Sequence, residues 1–354
     1  KGTPTPRGTR GGMSRFVNKL LNRTVFMNCK WHLLTLKGQT ADGHLDWSVS
    51  SMQGRRPSNE DAHCVASDAC PGMHGFAIFD GHRGAEVAVF AAQHLPDLLE
   101  ANLTPSAVGR ALRRCFHGLD SLLAEPAHRE ELLNSSHYTL DVSSRLERSA
   151  RLRQLDKLAR EDGWYPGLAG STALAAVVEA PWKRLVVANA GDSRAVLCRA
   201  GQALALSTDH TPSGDGERRR IEAAGSRVGD DGYMSTPRSF GGKLSVSRGL
   251  GDKEHKWSGL PVEAQAVTAE PELRELELRD SDAFVLLACD GVWDVMTSEE
   301  AVAFVSLQLG AGASLPECTE ALLRECFDLG STDNMTALLL RPSASSAVPR
   351  LGGG

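Results

Sequence analysis

Four acidic islands, each beside an apolar run, are the residues best placed to do chemistry: Glu60-Asp61, Asp80-Gly81-His82, Asp290-Gly291 and Asp333-Asn334. The second follows Phe76-Ala77-Ile78-Phe79, the third follows Phe284-Val285-Leu286-Leu287-Ala288-Cys289, and the fourth precedes Met335-Thr336-Ala337-Leu338-Leu339-Leu340. Short runs of this kind, rich in branched and aromatic residues and bounded by Asp, Gly or Asn, read as buried strands. Strands that share one sheet system can bring several carboxylates to one end of it. Crowded carboxylates repel strongly unless a cation lies between them. The ligands on offer are oxygens, so the cation expected is a hard divalent one such as Mg²⁺ or Mn²⁺. Taken singly the islands are weak signals, because Asp-Gly is a common turn and Asp-Asn an ordinary strand cap.

The elements that must position these residues are legible in outline. The chain has 354 residues, enough for one large domain or two ordinary ones, and its 41% hydrophobic and 23% charged content is that of a soluble globular protein. No apolar stretch approaches the ~20 residues of a membrane-spanning helix. Eight cysteines are scattered with no Cys-x-x-Cys pair, which argues against a zinc site and a disulfide scaffold and suits a reducing compartment. Residues 1–41 carry eight Lys or Arg and no acid, whereas residues 42–354 carry 31 basic against 44 acidic residues. A body of that sign is the opposite of a nucleic-acid surface. Residues 1–12 read as disordered, and 13–36 as a basic arm with Phe16, Leu20 and Leu21 at roughly helical spacing. That arm is an amphipathic anchor, a targeting segment, a docked helix or a solvated tail. Helical spacing follows over 84–100 and 105–123, then a charged insertion at 125–166 that reads as helical and exposed. Strands are expected at 171–179, 185–189 and 195–199, a helix near 217–224, and two amphipathic helices at 299–309 and 315–327. Strands in runs and helices in pairs favour stacked antiparallel sheets over an alternating doubly wound fold.

The motifs, in order, resemble those of the metal-dependent serine/threonine protein phosphatases of the type 2C family. They are Arg56-(x3)-Glu60-Asp61-Ala62-His63, Phe79-Asp80-Gly81-His82-x-Gly84, Gly170-Ser171-Thr172-Ala173 and Asn189-Ala190-Gly191-Asp192-Ser193-Arg194. Val246 to Asp252, Ala288 to Asp294 and Ser331-Thr332-Asp333-Asn334 complete the set, over roughly residues 46–341. The resemblance implies an α+β fold: a four-layer α-β-β-α sandwich of two antiparallel sheets flanked by helix pairs, with a dinuclear Mn²⁺ or Mg²⁺ site at one end. It implies a catalytic domain at 42–342, with the 125–166 insertion and a variable flap at 208–238, between the basic arm at 1–41 and a flexible tail at 343–354.

It also implies roles. Asp80 would bridge two metals and Gly81 would offer its carbonyl to one of them. Asp290 and Asp333 would ligate the other, with Glu60 acting on the first directly or through water. A metal-bridging water would then hydrolyse phosphoserine and phosphothreonine without a covalent phospho-enzyme. Arg56 would clamp the phosphate, with Arg55 the alternative register, and His82 would protonate the leaving oxygen. Asp192, Asp290 and Asp294 match positions that hold a weaker third metal. Cys289 reads as a buried strand residue, and Asp252 and Thr172 as structural. Arg218-Arg219-Arg220 in the flap read as a site for acidic phosphopeptides or as a solvated helix face. The implied partners are phosphorylated proteins, with no nucleic acid, for a monomer in the cytoplasm or nucleus. A catalytically silent relative would lack ligand acids, and none is missing here.

Overall fold

The computed structural model describes residues 23–26, 33–136, 169–236 and 243–343. Among them, two six-stranded antiparallel sheets carry the fold. The first runs in the order β1 (Arg23–Phe26), β4 (Ala62–Cys70), β5 (Met73–Phe79), β8 (Ala173–Glu179), β9 (Arg184–Ala190) and β15 (Glu272–Glu277). The second runs β11 (Gln202–Ala205), β10 (Arg194–Arg199), β16 (Asp282–Ala288), β17 (Met335–Pro342), β3 (Leu45–Met52) and β2 (Leu34–Gln39).

Side chains alternate across a strand, and here both faces are buried. In β5, Phe76 and Ile78 enter the core between the sheets, while Met73, Ala77 and Phe79 face a helix layer. β16 sends Val285 and Leu287 inward and Phe284, Leu286 and Ala288 outward; β17 sends Leu338 inward and Ala337 and Leu339 outward. Helices α1 (Glu86–Asn102) and α2 (Val108–Leu122) cover the first sheet through Val87, Phe90, Leu95, Leu112 and Phe116. A 3₁₀ turn at Pro126–His128 and helix α3 (Arg129–Ser136) lie beside α1. After α4 (Asp215–Ala223) and the single turn α5 (Asp290–Trp293), helices α6 (Ser298–Gly310) and α7 (Leu315–Asp328) cover the second sheet. A capping box starts α6: the Glu300 N–H donates to the Thr297 hydroxyl at 3.2 Å, and Thr297 N–H donates back to the Glu300 carboxylate at 2.8 Å. The result is the expected four-layer sandwich.

Two small ribbons complete it. β6 (Gly81–His82), β7 (Gly170–Ser171) and β14 (Leu250–Gly251) form one across an end of the sandwich. β12 (Arg227–Val228) and β13 (Met234–Ser235) form the other, within the flap. Element ends fall within about three residues of the expected ones, the scatter usual for boundaries.

The basic arm is a correction. Residues 23–26 pair with β4 and residues 34–39 pair with β3, so part of 1–41 belongs to the two sheets. Edge strands need only backbone partners, and a helical spacing of three apolar residues does not report that. Residues 1–22 and 27–32 of the arm, 137–166 of the insertion, 237–238 of the flap and 344–354 of the tail lie outside the described residues. Among the described residues no helix is long and apolar enough to cross a membrane.

Candidate active site

The acidic islands sit where strands of both sheets end on the same side. Asp80 follows the last residue of β5, Asp192 lies in the turn between β9 and β10, Asp290 follows β16 by one residue, and Asp333 comes just before β17. Arg56, Glu60, Asp80, Gly81, His82, Asp192, Asp290 and Asp333 line one cleft of about 210 Å³. Asp294 is not among the lining residues; it stands one helical turn past Asp290, at the end of α5.

Backbone hydrogen bonds fix the acids. Asp80 N–H donates to the Thr172 hydroxyl at 3.1 Å, and Thr172 N–H donates to the Asp80 carbonyl at 2.9 Å. Glu60 accepts from Gly84 N–H at 2.9 Å, while its own N–H donates to the Asn334 side chain at 2.9 Å. Gly81 is packed so closely that a Cβ would collide with the carbonyl oxygen of Glu60. Thr172 therefore supports the site, beyond holding a strand end.

The electrostatics are those of charges without partners. Burial first, then repulsion from Asp290, Asp61 and Asp192, pushes Asp80 well above the usual carboxylate range. Burial and Asp333 lift Asp290 to about 6, and burial and Asp290 lift Asp192 to about 7. Asp294 is raised too, by burial and then by Asp333. Asp61 belongs to this group although its island suggested no role for it. It is raised to about 7, chiefly by burial. One of its carboxylate oxygens accepts from the Thr336 hydroxyl at 2.6 Å and the Cys289 thiol at 3.4 Å, while the other has no hydrogen-bond partner among the described residues.

These observations fit a hard divalent cation. The cleft offers oxygens, the carboxylates repel one another, and a buried carboxylate oxygen lacks a partner. Asp61, Asp80 and Cys289 each place a ligand atom within 4.8 Å of the others. Cys289 is the poor member of that trio, because burial pushes its thiol well above its ordinary value. A neutral thiol is neither a ligand for Mg²⁺ nor a nucleophile.

The positive groups divide by orientation. Arg56 is half exposed, lines the cleft and pairs with Asp333. Arg55 turns away, donating to the Ser331 carbonyl at 2.8 Å with its guanidinium 4.3 Å from the centre of the Phe327 ring. Arg83, which no motif singles out, also lines the cleft and pairs with Glu254 at 2.5 Å.

His82 has a partner that its neighbours in sequence do not reveal. Its Nε2 lies 2.8 and 2.9 Å from the two carboxylate oxygens of Asp252, which is fully buried. Asp252 holds a left-handed backbone at φ 50°, and any side chain at Gly170 would strike both Asp252 and His82. Burial alone would lower His82, yet the Asp252 carboxylate raises it above its ordinary value. Asp252 was expected to be structural; instead it touches a cleft residue directly.

In the flap, α4 and β13 close over a small core of Ile221, Met234, Leu244, Val246, Ala266 and Val267, and Ser245 and Val246 line the cleft. The three flap arginines do not form one basic face. Arg220 turns inward to Glu217 at 2.5 Å and to the Ser247 carbonyl at 2.7 Å, and Arg218 pairs with Glu222 at 3.7 Å.

Comparison with known proteins agrees with this architecture. The protein phosphatase 2C family model matches residues 45–335. A probable protein phosphatase 2C 60 from Arabidopsis thaliana is 37% identical over 84% of this chain and 86% of its own length. A probable protein phosphatase 2C 5 from Paramecium tetraurelia is 36% identical over 83% and 91%. Among solved structures, a phosphatase from a pathogenic strain of Toxoplasma gondii superposes with a TM-score of 0.65 at 22% identity, over 88% of this chain and 96% of that one. The chain belongs to the protein phosphatase 2C family of metal-dependent serine/threonine protein phosphatases.

Proposed function

We propose that the cleft hydrolyses phosphoserine and phosphothreonine side chains of proteins, with two divalent cations held by Asp80, the Gly81 carbonyl, Glu60, Asp290 and Asp333. The observation that carries this reading is the convergence of half-buried, mutually repelling carboxylates from separate strand ends beside one half-exposed arginine. Bound there, Mg²⁺ or Mn²⁺ supplies positive charge to the phosphoryl oxygens and lowers the pKa of water. A weaker third ion would be held by Asp192, Asp290 and Asp294.

The chain's own groups supply the remainder. Arg56 exchanges its contact with Asp333 for the substrate's phosphoryl oxygens, and its planar fork fixes their orientation. The His82 imidazolium gives a proton to the departing seryl or threonyl oxygen as the P–O bond breaks. Asp252 holds that ring by Nε2, which leaves Nδ1 as the donating nitrogen and stabilises the protonated form until the transfer. Among the described residues no cysteine lines the cleft, so water adds across the P–O bond directly and the products are phosphate and the free hydroxyl.

The test is a comparison of a phosphothreonine peptide with a nucleoside triphosphate and a sugar phosphate, each with Mn²⁺ or Mg²⁺. Turnover of the peptide well above both small substrates is expected. Preference for either small molecule would replace the protein substrate with another phosphoester.

A further inference from the structure

Away from the cleft, His94 in the middle of α1, His128 at the end of the 3₁₀ turn and Glu131 in α3 converge. His94 Nε2 lies 2.8 Å from one Glu131 oxygen and His128 Nδ1 lies 3.1 Å from the other. The three ligand atoms are all within 4.8 Å of one another. The two rings stand edge to face at 78°, with centroids 5.0 Å apart, and Phe90 packs on the His94 ring at 4.1 Å. Other histidine–carboxylate pairs among the described residues, such as His74–Asp42 and His117–Glu270, join one ring to one acid. Only here among the described residues do two rings from different elements share one carboxylate.

We propose that His94, His128 and Glu131 form a second metal site, separate from the phosphatase cleft, that takes one zinc-class ion. Two imidazole nitrogens and one carboxylate form a three-ligand set that Zn²⁺ accepts with solvent in the fourth position. Bonds of about 2.0–2.2 Å at tetrahedral angles space such atoms by roughly 3–4 Å, and the three ligand atoms here lie within 4.8 Å of one another. Side-chain exposures of 21–34% leave the group open to solvent. Imidazole favours zinc-class ions, whereas the oxygen ligands of the cleft favour Mg²⁺ or Mn²⁺, so the two sites differ in selectivity. The scattered cysteines argued against zinc, but this set uses none. A bound ion would pin the turn and α3 to α1.

The test uses the full chain, stripped with chelator and dialysed against micromolar Zn²⁺ in excess Mg²⁺, with bound zinc counted by elemental analysis. His94→Gln, His128→Gln and Glu131→Gln are each expected to lose one zinc equivalent and to keep Mn²⁺-dependent phosphatase activity, which shows that they fold. Loss of a direct ligand should weaken binding by more than the roughly 10–100-fold that loss of an outer-shell partner costs. Asp290→Asn should retain that zinc equivalent, and Co²⁺ in its place should give a visible absorption band that His94→Gln abolishes. Zinc retained equally by wild type and all three variants, or none bound by Asp290→Asn, would overturn the site and leave three hydrogen-bonded side chains.

Discussion

The cleft and the flap each bury a group of charges, and they treat them in opposite ways. In the flap, Glu217 accepts from Arg248 and from the Ser247 hydroxyl at 2.7 Å and from Arg220 at 2.5 Å. Burial alone would raise Glu217, but those partners bring it down to about 2. In the cleft, Asp80, Asp290, Asp192 and Asp61 are all pushed up, first by burial and then by the other carboxylates around them. Buried ions cost several kcal/mol each unless paired. The flap pairs them within the chain and obtains a fixed fold. The cleft leaves the pairing to something the chain does not contain, which is the mark of a binding site.

The largest effects should separate the two regions most sharply. Asp290→Ala should lower phosphopeptide turnover by at least about 10³-fold, since a metal ligand matters no less than a transition-state hydrogen-bond donor. In chelator the same variant should be no less stable than wild type to denaturant, because one of several repelling charges is gone. Glu217→Gln should do the reverse. Leaving two half-buried guanidiniums without their anion should cost about 1–3 kcal/mol in denaturant unfolding. Equal destabilisation by both substitutions would erase the distinction.

A smaller effect tests the cleft histidine together with its buried carboxylate partner. Asp252→Asn removes the charge that raises His82. The alkaline limb of the pH–rate profile should move to lower pH, with turnover down about tenfold, less than the roughly 10²-fold or more expected for His82→Ala. An unmoved limb would make Asp252 only a packing residue.

A further effect, read without any substitution, is the pH dependence of stability without metal. A carboxyl with a raised folded pKa favours the fold below its ordinary value of about 4 and loses that contribution as pH rises. For Asp290, Asp61 and Asp192 this loss runs from about pH 4 up to about pH 6 to 7, where it is complete. Each proton involved is worth about 1.4 kcal/mol per pH unit. Glu217 has the opposite sign: its contribution is complete above about 4.3 and is lost as pH falls towards 2. Chelated protein should therefore weaken from about pH 4 to 7, and Mg²⁺ should flatten that slope.

Much of the fold was legible because β5, β16 and β17 are apolar on both faces and carry their acids at their ends. Much of the cleft was legible for the same reason, since the islands mark where strands stop. What escaped depends on distance along the chain. Asp252 is 170 residues from His82 and Glu217 is 31 from Arg248, so neither pairing leaves a local pattern. Strands β1 and β2 escaped because edge strands are held by backbone hydrogen bonds, which any side chains permit. The flap arginines look like one basic face in sequence, yet Arg220 points into the protein, where Glu217 waits for it.

The central claim is that the cleft acids require a divalent cation to work. The direct measurement is phosphothreonine-peptide turnover in chelated wild type and Asp290→Ala while Mn²⁺ or Mg²⁺ is titrated back. Wild type should be silent in chelator and recover with metal, and Asp290→Ala should stay largely inactive. Full turnover in excess chelator would contradict the claim.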